Sequence, residues 1–189
     1  MSLPILIGLI AACGLFMVLE SLGLPTTLAL QFKGDIKRET RWLAQYGQFV
    51  CTAVVIALVY QLDRPARHQQ AAVAILVAVL GTSIISTIVK RILGRIRPGR
   101  EHAGKFLGPS LKHANYRESF PSSHSACAVA LSVMLARLYP QATATFWALA
   151  LICAVLRYIM DAHWPSDVLG GIALGYALAN VTANAMHVG

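Results

Sequence analysis

The stretch Phe120-Pro-Ser-Ser-His124 runs directly into an apolar segment that continues to about Tyr139. Proline is favoured at the first helical position, where its missing N–H costs nothing, so a helix is expected from Pro121 to about Tyr139 with Arg137 snorkelling at its end. If that helix crosses a membrane, two hydroxyls and an imidazole stand at its water boundary. The remaining apolar runs are then arranged relative to this one.

Composition supports the membrane reading. The 189 residues are 57% hydrophobic and 13% charged, with a mean hydropathy of +0.62. That is too apolar for a soluble domain of this size, and 1–189 reads as a single membrane-embedded domain. The net charge of +8 does not point to nucleic acid, because the basic residues cluster between apolar runs with no aromatic-interleaved basic face. A membrane surface or an anionic lipid head group fits better. Cys13, Cys51, Cys127 and Cys153 all lie inside apolar runs without paired spacing, so they read as packing residues and not as a disulfide framework or zinc site. Ile10-Ala-Ala-Cys13 has the outline of a lipoprotein cleavage box but no basic region before it, and the first run reads as a retained span.

Six apolar runs are expected to cross: Leu3 to Leu22, Tyr46 to Leu62, Ala71 to Val89, Pro121 to Tyr139, Thr143 to Met160 and Pro165 to Val188. The fold class is therefore all-α and polytopic, with an interfacial site. Gln31 to Trp42, polar with interspersed apolar residues, is expected to lie along the interface. A polar turn containing Asp63, Arg64, Pro65 and Arg67 follows the second run, and a Pro140-Gln141 turn precedes the fifth. The polar residues 99–120 are long enough to be a functional loop. Gly171-x-x-x-Gly175 is a small-residue face for close packing, within the chain or in a dimer. Glu20, ionisable and near the end of the first run, is a default functional candidate; snorkelling to the head groups accounts for it at least as well, and it is placed outside the site. Six crossings put both termini on one side and all the polar motif segments on the other.

Lys90 and Arg97, on a continuing helix, would stand about two turns and roughly 10 Å apart on one face. Together they can grip one phosphoryl group, Arg97 as a fork and Lys90 as a point charge; equally they can be a basic cap anchoring the third run. Pro121 at the first helical position would leave the N–H groups of Ser122 and Ser123 free for an anion, with His124 one turn in as a proton donor. The same residues also suit a serine-rich helix cap. His163 and Asp167 are spaced so that the carboxylate can fix the imidazole tautomer and leave the other nitrogen nucleophilic; Asp167 is also suited to complement a helix dipole. Arg157 can add a third cation. His124, His163 and Asp167 are metal-ligand types, but three converging cations would repel a divalent ion, so neither metal nor cofactor is expected. A Ser-His-Asp hydrolase built on Ser122 or Ser123 would lack a nucleophile elbow.

In order, Lys90-x6-Arg97-Pro98, Pro121-Ser-Ser-His124 and Arg157-x5-His163-x3-Asp167 resemble the three-part signature of the type 2 phosphatidic acid phosphatase superfamily, with the core motifs in 90–167. The resemblance implies that Lys90, Arg97 and Arg157 bind the phosphoryl oxygens, assisted by Ser122 and the Ser123 amide. It implies that His163 forms a phosphohistidine, that Asp167 orients it, and that His124 protonates the leaving group, with no metal. Ser123 stands where the family usually has glycine, and Leu156 where it usually has a serine before the arginine. The implied substrates are undecaprenyl diphosphate, phosphatidylglycerol phosphate or phosphatidic acid, entering sideways from the bilayer. A non-catalytic lipid-phosphate binder or transporter would not need His163, Asp167 and His124 together; a phosphotransferase to another lipid would use the same phosphohistidine. The superfamily's soluble vanadate haloperoxidases do not suit six spans. All Lys and Arg except Arg64, Arg67 and Arg137 lie on the motif side, which by the positive-inside rule would make that side cytoplasmic. Similarity to bacterial members implies instead an extracytoplasmic site in the inner membrane.

Overall fold

The computed structural model describes residues 1–28, 34–63, 67–112 and 114–188, with 34–37 described by their backbone alone. Gln31 to Lys33 of the expected interfacial segment, and Arg64 and Pro65 of the expected turn, lie outside the described residues. Among the described residues seven α-helices are formed: α1 (Leu3–Ser21), α2 (Gly34–Leu43), α3 (Phe49–Leu62), α4 (His68–Leu93), α5 (Ser123–Leu138), α6 (Thr143–Ile159) and α7 (Pro165–Ala185). Among the described residues the extended pairing is one isolated bridge, Arg95 with Phe106.

Among the described residues four helical stretches are long and apolar enough to cross a membrane: Leu3–Ser21, His68–Leu93, Pro140–Ile159 and Pro165–Ala185. Phe49–Leu62 and Ser123–Leu138 are apolar but shorter. Two helices start later than expected. Turns occupy residues 44–47, so α3 begins at Phe49 and not at Tyr46. Pro121 does not open α5: the Phe120–Pro121 peptide is cis, Ser122 is the N-cap, and the helix starts at Ser123.

Helix α5 lies at the centre, packed on α4, α6 and α7, while α1 packs on α7 and α3 on α4. From Ser125 to Leu135 every residue of α5 is buried. By contrast, Ile5, Ile7, Ile10 and Leu15 of α1 are exposed, an apolar surface suited to lipid. Periodicity sets the inward faces. On α4 the buried residues Ile75, Val79, Thr82, Ser86 and Lys90 recur at helical spacing, so one stripe carries Lys90 inward at the end of the helix. On α7 the stripe is Asp167, Gly171, Gly175, Ala179 and Ala183.

The two glycines let α7 and α5 meet backbone to backbone. A Cβ on Gly171 would stand 2.5 Å from the Ser122 carbonyl oxygen, and one on Gly175 would land on the Ala126 carbonyl. The Gly171-x-x-x-Gly175 face therefore serves packing inside the chain. Gly175→Ala is expected to destabilise by about 1–3 kcal/mol, read as a lower thermal midpoint in detergent. Gly8→Ala, where a Cβ meets nothing within 4 Å, is expected to leave the midpoint level or higher.

Candidate active site

The α4 stripe ends in a sharp reversal. Gly94 adopts the left-handed conformation, φ 62°, and its N–H donates to the Lys90 carbonyl. A side chain there would strike the Gly108 carbonyl at 2.5 Å. The chain then folds back under the helices: Ile96 N–H donates to Lys105 O and Gly104 N–H to Ile96 O, at 2.9 and 3.0 Å. Arg97 thus lies on a loop and not on a continuation of α4, which corrects the two-turn geometry expected from spacing. The two cations meet nonetheless. Lys90 Nζ donates to the Glu118 carbonyl at 3.0 Å and Arg97 Nη2 approaches the same oxygen at 3.5 Å. Arg97 also donates from Nε to Asn115 O at 2.9 Å and from Nη1 to Ala162 O at 3.3 Å. Burial holds its guanidinium below the ordinary arginine value, with Asp167 and Glu118 pulling the other way.

The start of α5 differs from the free anion site that the sequence suggests. The Ser122 N–H donates to the Asp167 carbonyl at 2.9 Å. Its hydroxyl, fully buried, meets Ser125 Oγ at 2.9 Å and accepts from Ser125 N at 3.5 Å. Ser122 is therefore committed to capping α5, and the first-turn amides not committed in this way are those of Ser123 and His124. Arg157, Lys90 and Arg97 stand close enough around the half-buried His124 imidazole for their charges to act on it. Arg157 reaches this region from the last turn of α6, its Nε buried without a hydrogen-bond partner.

At the α6–α7 corner His163 is 1% exposed, and its Nδ1 lies 3.6 Å from Asp167 Oδ2. That distance is longer than a hydrogen bond. Both oxygens of Asp167 are held by other groups. Oδ2 accepts from Trp164 N–H at 2.9 Å and from the Ser119 hydroxyl, and Oδ1 accepts from Arg95 Nη1 at 2.6 Å. Asp167 thus caps α7, as one reading of its spacing expected, while facing His163 without a hydrogen bond to it. Among the described residues no group of three or more His, Cys, Asp or Glu side chains forms a metal-ligand set.

Sequence reasoning missed the layer behind Asp167. Arg95 Nη2 donates to Glu20 Oε2 at 2.6 Å, and the Ser166 hydroxyl and amide reach the same carboxylate at 2.5 and 3.2 Å. Glu20 does not snorkel; its side chain is 2% exposed. An ionisable residue within an apolar run was the available signal. Arg95 and Ser119 stood beside motif residues with nothing in their spacing to separate them from their neighbours.

An apolar cavity of about 410 Å³ adjoins this corner, walled by Leu6 and Ile10 of α1, Val89 of α4, Phe120, and Gly170 and Leu174 of α7.

Residues 71–188 match the PAP2 superfamily. The chain is 36% identical over 135 residues to lipid A 1-phosphatase of Rhizobium etli, covering 66% of this chain and 57% of that protein. It is 28% identical over 137 residues to decaprenylphosphoryl-5-phosphoribose phosphatase of Mycobacterium tuberculosis, covering 71% and 72%. The chain spans about half the length of the Rhizobium relatives, 57% and 43% of the two. In fold it is similar to the crystal structure of the first transmembrane PAP2 type phosphatidylglycerolphosphate phosphatase from Bacillus subtilis. That likeness has a TM-score of 0.57 and 15% identity over 92% of this chain and 85% of that one.

Burial pushes the His163 imidazole down to about 3, against the opposing pull of Asp167. An unfolded imidazole titrates near 6.5, so between about pH 6.5 and 3 the unfolded chain binds a proton that the folded chain refuses. The stability associated with neutral His163 is complete above that window and declines as the pH falls through it. The thermal midpoint is expected to drop on acidification and to drop less steeply in His163→Gln. Parallel declines in the two proteins would contradict this.

Proposed function

The chain belongs to the PAP2 superfamily, and from that membership we propose that it is an integral-membrane lipid phosphatase acting on a lipid phosphomonoester or diphosphate through a phosphohistidine. The observation that carries the reading is the gathering of Lys90, Arg97 and Arg157 around His124 and His163, with Asp167 behind His163. The three cations hold the phosphoryl oxygens, with the Ser123 amide and, after a local rearrangement, the Ser122 hydroxyl adding donors. Asp167 keeps the His163 proton on Nδ1, so that Nε2 presents its lone pair.

Nε2 attacks phosphorus as the bond from phosphorus to the lipid-side oxygen breaks, and His124 gives its proton to the departing oxygen. Water then attacks the phosphohistidine, the P–N bond breaks, and His124 takes the proton from the water. Inorganic phosphate leaves and both imidazoles are restored. The charge stabilisation comes from the clamp, so no step calls for a metal.

The chain forms one phosphatase domain with six crossings, α3 and α5 included. At 16 residues α5 is about 24 Å long, short of the roughly 30 Å hydrocarbon core. Enclosure by α4, α6 and α7 removes its need to span lipid unaided. The lipid chain lies along the apolar cavity beside Phe120 while its head group reaches the cations. We place the site on the extracytoplasmic face of a bacterial inner membrane; a reporter fused to the C-terminus is then expected to read cytoplasmic.

The test is phosphate release by detergent-purified protein, with EDTA present. The panel is phosphatidic acid, phosphatidylglycerol phosphate, undecaprenyl diphosphate, lipid A and decaprenylphosphoryl-5-phosphoribose, the last two taken from the relatives' names. Release by the parent, none by His163→Ala and a loss of about 10²–10⁴-fold in His124→Ala are expected. Binding of these lipids without release from any of them would favour a non-catalytic carrier instead.

A further inference from the structure

Helix α1 carries a single charged residue, Glu20. The helix is otherwise apolar and mostly exposed, with Cys13 its only buried residue. Burying a carboxylate at the end of such a helix is costly unless its partners are good. Its partners all belong to the wall of the site: Arg95 Nη2 at 2.6 Å, the Ser166 hydroxyl at 2.5 Å and the Ser166 amide at 3.2 Å. Cys13, two turns earlier, donates to the Ser166 carbonyl at 3.3 Å, so α1 touches this corner twice.

Arg95 stands between two carboxylates. Nη1 donates to Asp167 Oδ1 and to Ser166 Oγ, each at 2.6 Å, while Nη2 serves Glu20. The Phe106 and Trp164 rings lie 5.2 and 5.6 Å from the guanidinium carbon. One positive charge is thus shared by two negative ones, and the cluster keeps a net negative charge beside His163. Were Glu20 neutral, the guanidinium would face Asp167 alone. The Arg95–Asp167 pair would then be neutral overall, and Asp167 would be drawn toward Oδ1's partner and away from the imidazole.

We propose that Glu20 is a positioning residue: by sharing Arg95 with Asp167, it keeps the Asp167 carboxylate oriented and negatively charged toward His163. The inference rests on the reading of His163 as the nucleophile. It makes the first helix, outside the 71–188 match, a working part of the site.

Glu20→Gln keeps the size and removes the charge. In the detergent-purified chain, with the best lipid of the panel as substrate, kcat is expected to fall about ten- to a hundred-fold, by analogy with the partners that orient metal-ligating histidines. KM is expected to stay within about twofold. In an Asp167→Asn background the same change is expected to add nothing, because its effect passes through Asp167. A second readout does not depend on turnover. In ¹⁵N-histidine-labelled protein, with His163→Ala assigning the resonance, the parent is expected to hold His163 as the Nδ1–H tautomer and Glu20→Gln to mix the two tautomers. Unchanged kcat with an unchanged tautomer overturns the proposal, and so does a loss confined to KM or one that adds fully to Asp167→Asn. If the Gln variant is not recovered folded, Ser166→Ala replaces it: a severalfold fall in kcat with tautomer mixing supports the proposal, and parent-like values overturn it. A parent that releases no phosphate from any lipid defeats the phosphatase reading, while the tautomer comparison still decides the role of Glu20.

Discussion

A guanidinium held between two carboxylates, Arg95 with Glu20 and Asp167 at 2.6 Å each, joins the end of α1, the loop after α4 and the first turn of α7. Arg95 and Glu20 are each 2% exposed, and Asp167 is fully buried. Charges so far from water must stay paired, since losing one partner strands another in a medium of low polarity. The three segments are therefore fixed relative to one another more tightly than apolar packing alone would fix them. Ser119 and Trp164, both donors to Asp167, bring in the approach to α5 and the cap of α7.

Close helix packing extends that rigidity to the remaining site residues. Gly171 and Gly175 let α7 lie directly against the backbone of α5, and the Ser122 N–H is bonded to the Asp167 carbonyl. His124, two residues after Ser122, is thereby held in register with His163 and Asp167. Helix α5 begins at Ser123 because Ser122, in an extended conformation, caps it with its side chain.

The cations are gathered by a different device. Lys90 arrives on the buried stripe of α4, Arg97 on a loop turned back by Gly94, and Arg157 on the last turn of α6. Such charges repel one another. The Glu118 carbonyl accepts from both Lys90 and Arg97, and Asp167 and Glu118 both pull favourably on Arg97. The clustering costs stability, and a bound anion would offset that cost.

Much of this was legible in the chain itself. Apolar runs of spanning length, broken by Pro140, Pro165 and polar segments, marked the helices to within a few residues, because lipid and helix geometry constrain run length and periodicity directly. Lys90, Arg97, His124, Arg157, His163 and Asp167 were singled out by their ordered three-part spacing, since Lys and Arg alone are ordinary at the ends of apolar runs. What the sequence could not determine was every relation formed across the bundle. The fold-back that carries Arg97, the engagement of the Ser122 amide, and the pairing of Glu20 with Arg95 across 75 positions depend on which helix faces pack together. Local spacing describes one helix at a time. A buried charge finds its partner through the tertiary fold, and only the packed structure decided that Glu20 belongs behind His163 and not at the lipid head groups.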